Sequence, residues 1–455
     1  MSGQSFAPVT RRLAAILARP VSHGDKSRAA RALLDWTGCA VAGAASAAGR
    51  AVRAALAKEA EGPCTVIGGT GRAPLTAALA NGAVGNVLEM DDVDKRAILH
   101  PGPSVIPAAL ALAQAKDAST DEFLAGLVRG YEAVIRLGRA VGPGHYAFWH
   151  NTGTCGPVGA AAACASLLGL DTERTAHALA LAATQASGFW QTRHEPASMA
   201  KQLHTARAAH AGLFAARLAA EGFQGPLTVF EGGQGFFAAT CPGAEAEDMV
   251  AQPDSGWTIH EVSVKPWPAC RHAHPAIDAA LALRAQGVRP QDIDRLELST
   301  YADAVKFCDR VSPQSVIEAK FSLQHSVAVA LIEGPPGLCH FEAGAFERED
   351  VRALAAKVRV RVAEPWDGAY PAHYGAGLRA VLGGGREIAH RQRDALGDPE
   401  NPLPQERLTQ KAGALCAAGG MDAAAAARLI AAALSLGEGG ALDTYAAALP
   451  REAAP

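Results

Sequence analysis

The stretch NGAVGNVLEMDDVDKRAILHPGPSVIPAAL, residues 81–110, sets the reading of the whole chain. An Ala- and Gly-rich helical run brings three carboxylates, Glu89, Asp91 and Asp92, to its end. A polar loop with Asp94, Lys95 and Arg96 follows. His100 then precedes Pro101, Gly102 and Pro103, and a second apolar helix begins near Val105. Acids, bases and an imidazole are thus crowded onto a junction between two apolar helices. Acid–base chemistry needs that density of titratable groups, whereas a solvated, capped loop does not.

The surroundings are helical. Apolar spacing predicts helices over 6–19, 24–45, 75–88, 104–116, 120–141, 157–168 and 171–187, with a long one starting near Lys201. A short strand is expected at Cys64–Ile67. After residue 222 the pattern changes. WTIHEVSVK, 257–265, alternates like a strand, as do 293–301 and 358–362. Alternation also flanks Gly383-Gly384-Gly385, which reads as a hairpin turn. FSLQHSVAVALI, 321–332, reads as a buried helix, and from about 400 the chain is helical again until the polar tail REAAP. The expected fold class is mainly α with a smaller α+β domain. Both chain ends, 1–264 and 396–455, build the helical domain, and 265–395 is an inserted α+β domain.

Composition narrows the function classes. Of 455 residues, 49% are hydrophobic and 19% charged, which is ample material for a globular core. Net charge is −3 with no basic tail, so nucleic acid is not an expected partner. The nine cysteines are scattered without a CxxC pair, so no disulfide framework or zinc knuckle is read. A reducing cytoplasm is the economical location. The N-terminal MSGQSFAPVTRRLAAILARP is too short and interrupted for a membrane span and lacks a cleavage site. There is no solenoid repeat, P-loop or well-placed dinucleotide fingerprint.

Four clusters carry the unusual residues: Glu89–His100, His145–Thr154, Lys201–Arg207 and Lys265–His274. Glu318–Ser322, with Lys320, is a weaker fifth. In the second, Gly153-Thr154-Cys155-Gly156 before a helix reads as an anion site, because a helix start presents free N–H groups. In the third, cations at a helix N-terminus oppose the dipole and so should answer an anion. His272 and His274 lack an HExxH context, and no metal site is expected. If the clusters converge, they form a pocket of cations, carboxylates and imidazoles. Such a pocket suits a small di- or tricarboxylate held by lysine and arginine. A histidine or lysine would take a proton alpha to a carboxylate, and buried ammonium groups would stabilise the dianion. Dehydration, decarboxylation and epimerisation all follow from that start.

Five stretches carry a family resemblance: 81–110, LGRAVGPGHYAFWHNTGTCGPVGAAAA, MAKQLHTARAAHAG, VKPWPACRHAHPAIDAA and EAKFSLQHSVAVAL. In this order they resemble the MmgE/PrpD family, which contains 2-methylcitrate dehydratase, cis-aconitate decarboxylase and iminodisuccinate epimerase. The resemblance implies a large helical domain from both chain ends, a smaller α+β lid, a homodimer, and catalysis without metal or organic cofactor. By position it assigns catalytic roles to Asp92, His100, His150, Lys201 and Lys265. His204, Arg271 and His272 sit beside these positions and, with Glu89, Thr152, Thr154 and Lys320 from the clusters, are the expected substrate contacts. The chain departs from the family pattern at Asn86-x-x-Glu89, Val93, His100-Pro101-Gly102 and His150-Asn151-Thr152. The function expected is a cofactor-independent hydro-lyase acting on a small polycarboxylate. An epimerase or decarboxylase using the same pocket, and a non-catalytic scaffold, are the alternatives.

Overall fold

The computed structural model describes residues 7–195 and 197–451. The first residue of the expected 6–19 helix, the start of the N-terminal stretch and all but Arg451 of the REAAP tail lie outside these. The chain is mainly α with a smaller α+β part. It divides into two compact units, one running to Val262 and resuming at Gln405, the other Ser263–Pro404.

The first unit is all helix apart from β1, Glu61–Cys64. Ser22 caps the His23–Ala44 helix and Ser119 caps Thr120–Ala140, each in a capping box with Asp25 or Glu122 three residues on. The Asn151–Leu167 helix packs between Thr120–Ala140 and Ala200–Ala220. Those crossings are tight. A Cβ at Gly159 would lie 2.6 Å from Val134 Cβ, and one at Gly212 would lie 2.4 Å from Ala160 Cβ. Close-packed Ala and Gly faces explain how a core so poor in aromatics is filled. The Gln405–Ala418 helix returns to the His23–Ala44 helix, where Lys411 Nζ meets Asp35 Oδ1 at 2.5 Å, both buried.

In the second unit β3, β2, β4 and β5 form one sheet in that order. β2 (Ile293–Thr300) runs parallel to β3 (Val358–Val362) and antiparallel to β4 (Ala376–Leu382), which pairs with β5 (Glu387–Gln392). Gly384 and Gly385 take positive φ at the β4–β5 turn, as the glycine run requires. The His274–Ala285 and Leu323–Ile332 helices share a core with the sheet through Ile277, Leu283, Val327, Leu296 and Leu378.

Four boundaries differ from the sequence pattern. Residues 257–265 are not a strand; Thr258–Glu261 is a 3-10 turn. Thr258 donates both its N–H and its hydroxyl to the buried Glu132 Oε2, at 2.7 and 2.8 Å, so a carboxylate takes the place of a neighbouring strand. The strand expected at Cys64–Ile67 lies at Glu61–Cys64, because side-chain amides of Gln114 and Asn81 accept from the N–H groups of Thr65 and Ile67. The helix expected to run to 88 stops at Gly82. Its continuation crosses the His23–Ala44 helix so closely that a Cβ at Gly43 would lie 2.0 Å from Val84 O. Finally, the helix expected from 157 begins at Asn151 and carries Pro157 inside it.

Candidate active site

The three carboxylates of 89–92 sit in an irregular turn, with Glu89 at φ 59°. The 94–99 segment closes on itself through Asp94 N–H to Leu99 O at 2.9 Å, and Asp94 Oδ1 accepts from Ala97 N–H at 2.8 Å. Arg139 pairs with the buried Asp94 at 2.5 Å. Part of the charge in this loop is thus spent on holding its shape. Asn151 Nδ2 donates to Ala97 O at 2.7 Å, and Thr152 Oγ1 accepts from His100 N–H at 3.0 Å. The first turn of the Asn151–Leu167 helix therefore locks the His100 segment in place.

His100 Nδ1 lies 2.7 Å from the main-chain carbonyl of Asp92 and 2.9 Å from Asp91 Oδ2. A carbonyl oxygen only accepts, so Nδ1 carries the proton and Nε2 is the basic atom of the neutral ring. Asp91 rather than Asp92 presents its carboxylate to the imidazole. Asp92 Oδ2 accepts from Tyr131 Oη at 2.7 Å and Oδ1 from Gly102 N–H at 3.0 Å. Burial, with Asp35 and Asp91 nearby, pushes the Asp92 carboxyl up to about 7 despite those two donors. A Cβ at Gly102 would lie 2.8 Å from Asp92 Oδ1, which accounts for glycine after His100-Pro101.

His150 stands at the N-cap of the Asn151–Leu167 helix, 1% exposed, and donates its N–H to Gly188 O at 2.9 Å. Its Nδ1 is 3.2 Å from His204 Nδ1, and its Nε2 is buried with no protein partner among the described residues. Trp190 packs on the ring at 4.6 Å between centroids. Burial, and then the charges of Lys201, His204 and His100, hold the His150 imidazolium well below the ordinary histidine range. His204 is lowered for the same reasons, burial first and Lys201 second. Lys201, near the start of the Ala200–Ala220 helix, forms an ion pair with Glu89. The anion demanded by cations at that helix start is therefore internal. Arg207, in the same stripe, is exposed and stands apart from this pair.

Residues Glu89, Asp92, His100, His150, Thr152, Lys201 and His204 thus form one connected set in the first unit. Thr154 is engaged elsewhere, its hydroxyl 2.8 Å from His145 Nε2, while His145 Nδ1 faces Thr240 O at 3.1 Å. Gly153-Thr154-Cys155-Gly156 does not open its helix, and the N–H groups of Gly153 and Thr154 already bond to His150 O. The anion site expected there is replaced by ordinary helix bonding.

Lys265, Arg271, His272 and Lys320 belong to the second unit, and all four are buried. Arg271 pairs with Asp398, which also accepts from Ser263 Oγ at 2.5 Å. The Arg271 Nε and Nη1 atoms are buried with no hydrogen-bond partner among the described residues. His272 Nδ1 is 2.7 Å from Tyr301 Oη, its ring is stacked on Tyr374 and Phe307, and burial lowers it to about 4. Elsewhere in this unit His373, Asp394 and Glu400 bring ligand-type atoms within 4.8 Å of one another. Arg393 Nη2 sits 2.8 Å from His373 Nε2, a guanidinium that would repel a cation there.

Sequence reasoning named Asp91 and Asn86 without giving either a site role, and did not single out Tyr131 for the site. Adjacent acids cannot be told apart by pattern once the backbone leaves the helix. Asn86, five residues before Asp91 and 2.5 Å from its Oδ2, was the available signal.

Two family models match this chain in succession: the MmgE/PrpD N-terminal domain over residues 15–249 and the MmgE/PrpD C-terminal domain over 267–436. The chain belongs to the MmgE/PrpD family. Among its relatives is a cis-aconitate decarboxylase of Aspergillus terreus, 28% identical over 413 residues, covering 84% of this chain and 83% of the relative. Cis-aconitate decarboxylases of Mus musculus and Homo sapiens are each 28% identical. They cover 74% of this chain, and 71% and 72% of the respective relatives. No helix among the described residues of this MmgE/PrpD protein is long and apolar enough to cross a membrane.

Proposed function

We propose that this chain is a cofactor-independent lyase acting on a small, unsaturated tricarboxylate of the cis-aconitate type, releasing CO₂. The observation that carries the reading is the His100 ring. Its Nδ1 is fixed by the Asp92 carbonyl, and it shares a cluster with the His150–His204 pair and the Lys201–Glu89 ion pair. In a β,γ-unsaturated acid the C–CO₂ bond is allylic. When it breaks, its electron pair forms the new alkene, and the old alkene pair moves to a carbon alpha to another carboxylate. That carbon takes one proton, so the substrate loses CO₂ and no other atom. As an imidazolium, His100 donates from Nε2 while its Nδ1 proton stays on Asp92 O. Lys201 offsets the charge that builds on the neighbouring carboxylate in the transition state. The buried, uncharged His150 keeps a bare nitrogen for a substrate hydroxyl or carboxyl group.

Lys265 and Arg271 are carboxylate-binding candidates in the second unit, on the strength of buried cations and the partnerless Arg271 Nε and Nη1. Dehydration is the second reading, since His100 could equally protonate a leaving hydroxide. A homodimer is proposed with it. Phe148, Phe189, Met199 and Leu203 leave apolar surface exposed, and light scattering tests the assembly. The test of function is a panel of aconitate-, citrate- and malate-like acids, scored separately for CO₂ and for alkene formed or lost. CO₂ from the aconitate-like acid supports the proposal. Water loss from a hydroxy acid without CO₂ replaces it with the dehydratase. Proton exchange alone replaces it with an epimerase.

A further inference from the structure

We infer that Asp91 is the positioning residue for His100, acting through the imidazole rather than on the substrate; this rests on the acid–base role proposed for His100. Asp91 Oδ2 is 2.9 Å from His100 Nδ1, and the Asp91 side chain is 1% exposed. The same oxygen accepts from Asn86 Nδ2 at 2.5 Å, a second contact that holds the carboxylate. Asp92 cannot fill the role, because both its carboxylate oxygens are taken by Tyr131 and Gly102. The two neighbours divide the work. The Asp92 carbonyl sets which nitrogen holds the proton, and the Asp91 carboxylate stabilises the ring when it becomes positive.

The charge around the dyad supports that division. Asp35, Asp91 and Asp92 share one buried neighbourhood, and Lys411 and Arg28 are the cations that act on Asp35. Lys411 Nζ also donates to Met90 O at 2.6 Å, so the residue before Asp91 is anchored to the Gln405–Ala418 helix. The other groups near the imidazole are His150, on which Lys201, Glu89 and His204 act, and Asp94 on the flanking loop, paired with Arg139 of the Thr120–Ala140 helix. Lys201 and its partner Glu89 offset one another. Asp91 is the carboxylate in direct contact with the ring.

The experiment uses the intact protein labelled with ¹⁵N-histidine, with His100→Gln assigning the His100 signals. Long-range ¹H–¹⁵N correlation on the wild type should show neutral His100 protonated at Nδ1; protonation at Nε2 overturns the inference without any variant being needed. In Asp91→Asn the His100 Nδ1 proton should lose its carboxylate partner and its resonance should move upfield of the wild-type position. In the same variant kcat should fall about 10²-fold or more while KM stays within about threefold. An unmoved Nδ1 proton resonance in a folded Asp91→Asn protein also overturns it. These spectra need no substrate. Failure of every acid to turn over would therefore sink the lyase reading and leave the dyad standing.

Discussion

His150 Nδ1 and His204 Nδ1 face each other at 3.2 Å, so one ring donates and the other accepts, and at most one of the two rings is charged. Burial lowers both, His150 the more strongly, so each ring favours its neutral form. A neutral buried imidazole with a free Nε2 suits hydrogen bonding to substrate better than carrying charge. His150→Asn should cut kcat about 10²- to 10⁴-fold. His204→Ala, which removes only the neighbour, should cost about tenfold or less. Steady-state kinetics of both variants check this, and equal losses would mean that the two rings act as one unit.

Lys201 and Glu89 form the cluster's ion pair, and each is more than four-fifths buried. Lys201→Ala should abolish turnover with the fold intact. It also removes the ammonium that faces the largely buried Glu89, so the melting temperature should fall. Glu89→Gln keeps the ammonium and loses the counter-charge, so it should retain more activity than Lys201→Ala. Circular dichroism melts alongside kinetics separate the two effects. Wild-type turnover in Lys201→Ala would refute its role.

Asp92 makes stability depend on pH in a definite direction. Its folded value of about 7 lies above the ordinary 3.8, so the folded state keeps a proton that the unfolded chain releases. Stability from this group is therefore lost as pH rises from about 4 to about 7, and the loss is complete above that. The total is of order a few kcal/mol. Asp92→Asn should remove this dependence and melt higher than wild type at pH 8, relative to pH 5. Urea titrations of both proteins at the two pH values measure the difference.

Gly102 packs directly against that carboxylate. In Gly102→Ser the new Cβ would meet Asp92 Oδ1 at 2.8 Å and Tyr131 Oη at 3.1 Å. Overpacking of this kind costs about 1–3 kcal/mol. It should also displace Asp92, whose carbonyl orients His100, so kcat should fall together with the melting temperature. A stable, fully active Gly102→Ser enzyme would show that the loop relaxes freely.

The sequence made the helical unit legible because its apolar positions recur with helical spacing over long runs. It also exposed the hairpin at 383–385, where three glycines mark the turn. Segment 257–265 misled because alternation reports only that every second side chain favours burial, and a buried Glu132 can satisfy such a backbone as well as a strand can. The site was legible as residue types, since His100, His150 and Lys201 fall within family motifs. Their connections were not. Which of Asp91 and Asp92 faces His100 depends on a turn with Glu89 at positive φ. The support of Met90 by Lys411 comes from more than 300 residues away along the chain.

The central claim is that His100 delivers the proton taken up by the carbon alpha to a carboxylate as an unsaturated tricarboxylate loses CO₂. The most direct measurement is incubation with cis-aconitate in D₂O, with product and residual substrate read by NMR. The account predicts one CO₂ released and one solvent deuteron retained on the carbon alpha to a carboxylate per turnover, with both lost in His100→Gln. Undiminished CO₂ release by His100→Gln, or deuterium entering the substrate with no CO₂ formed, would contradict it.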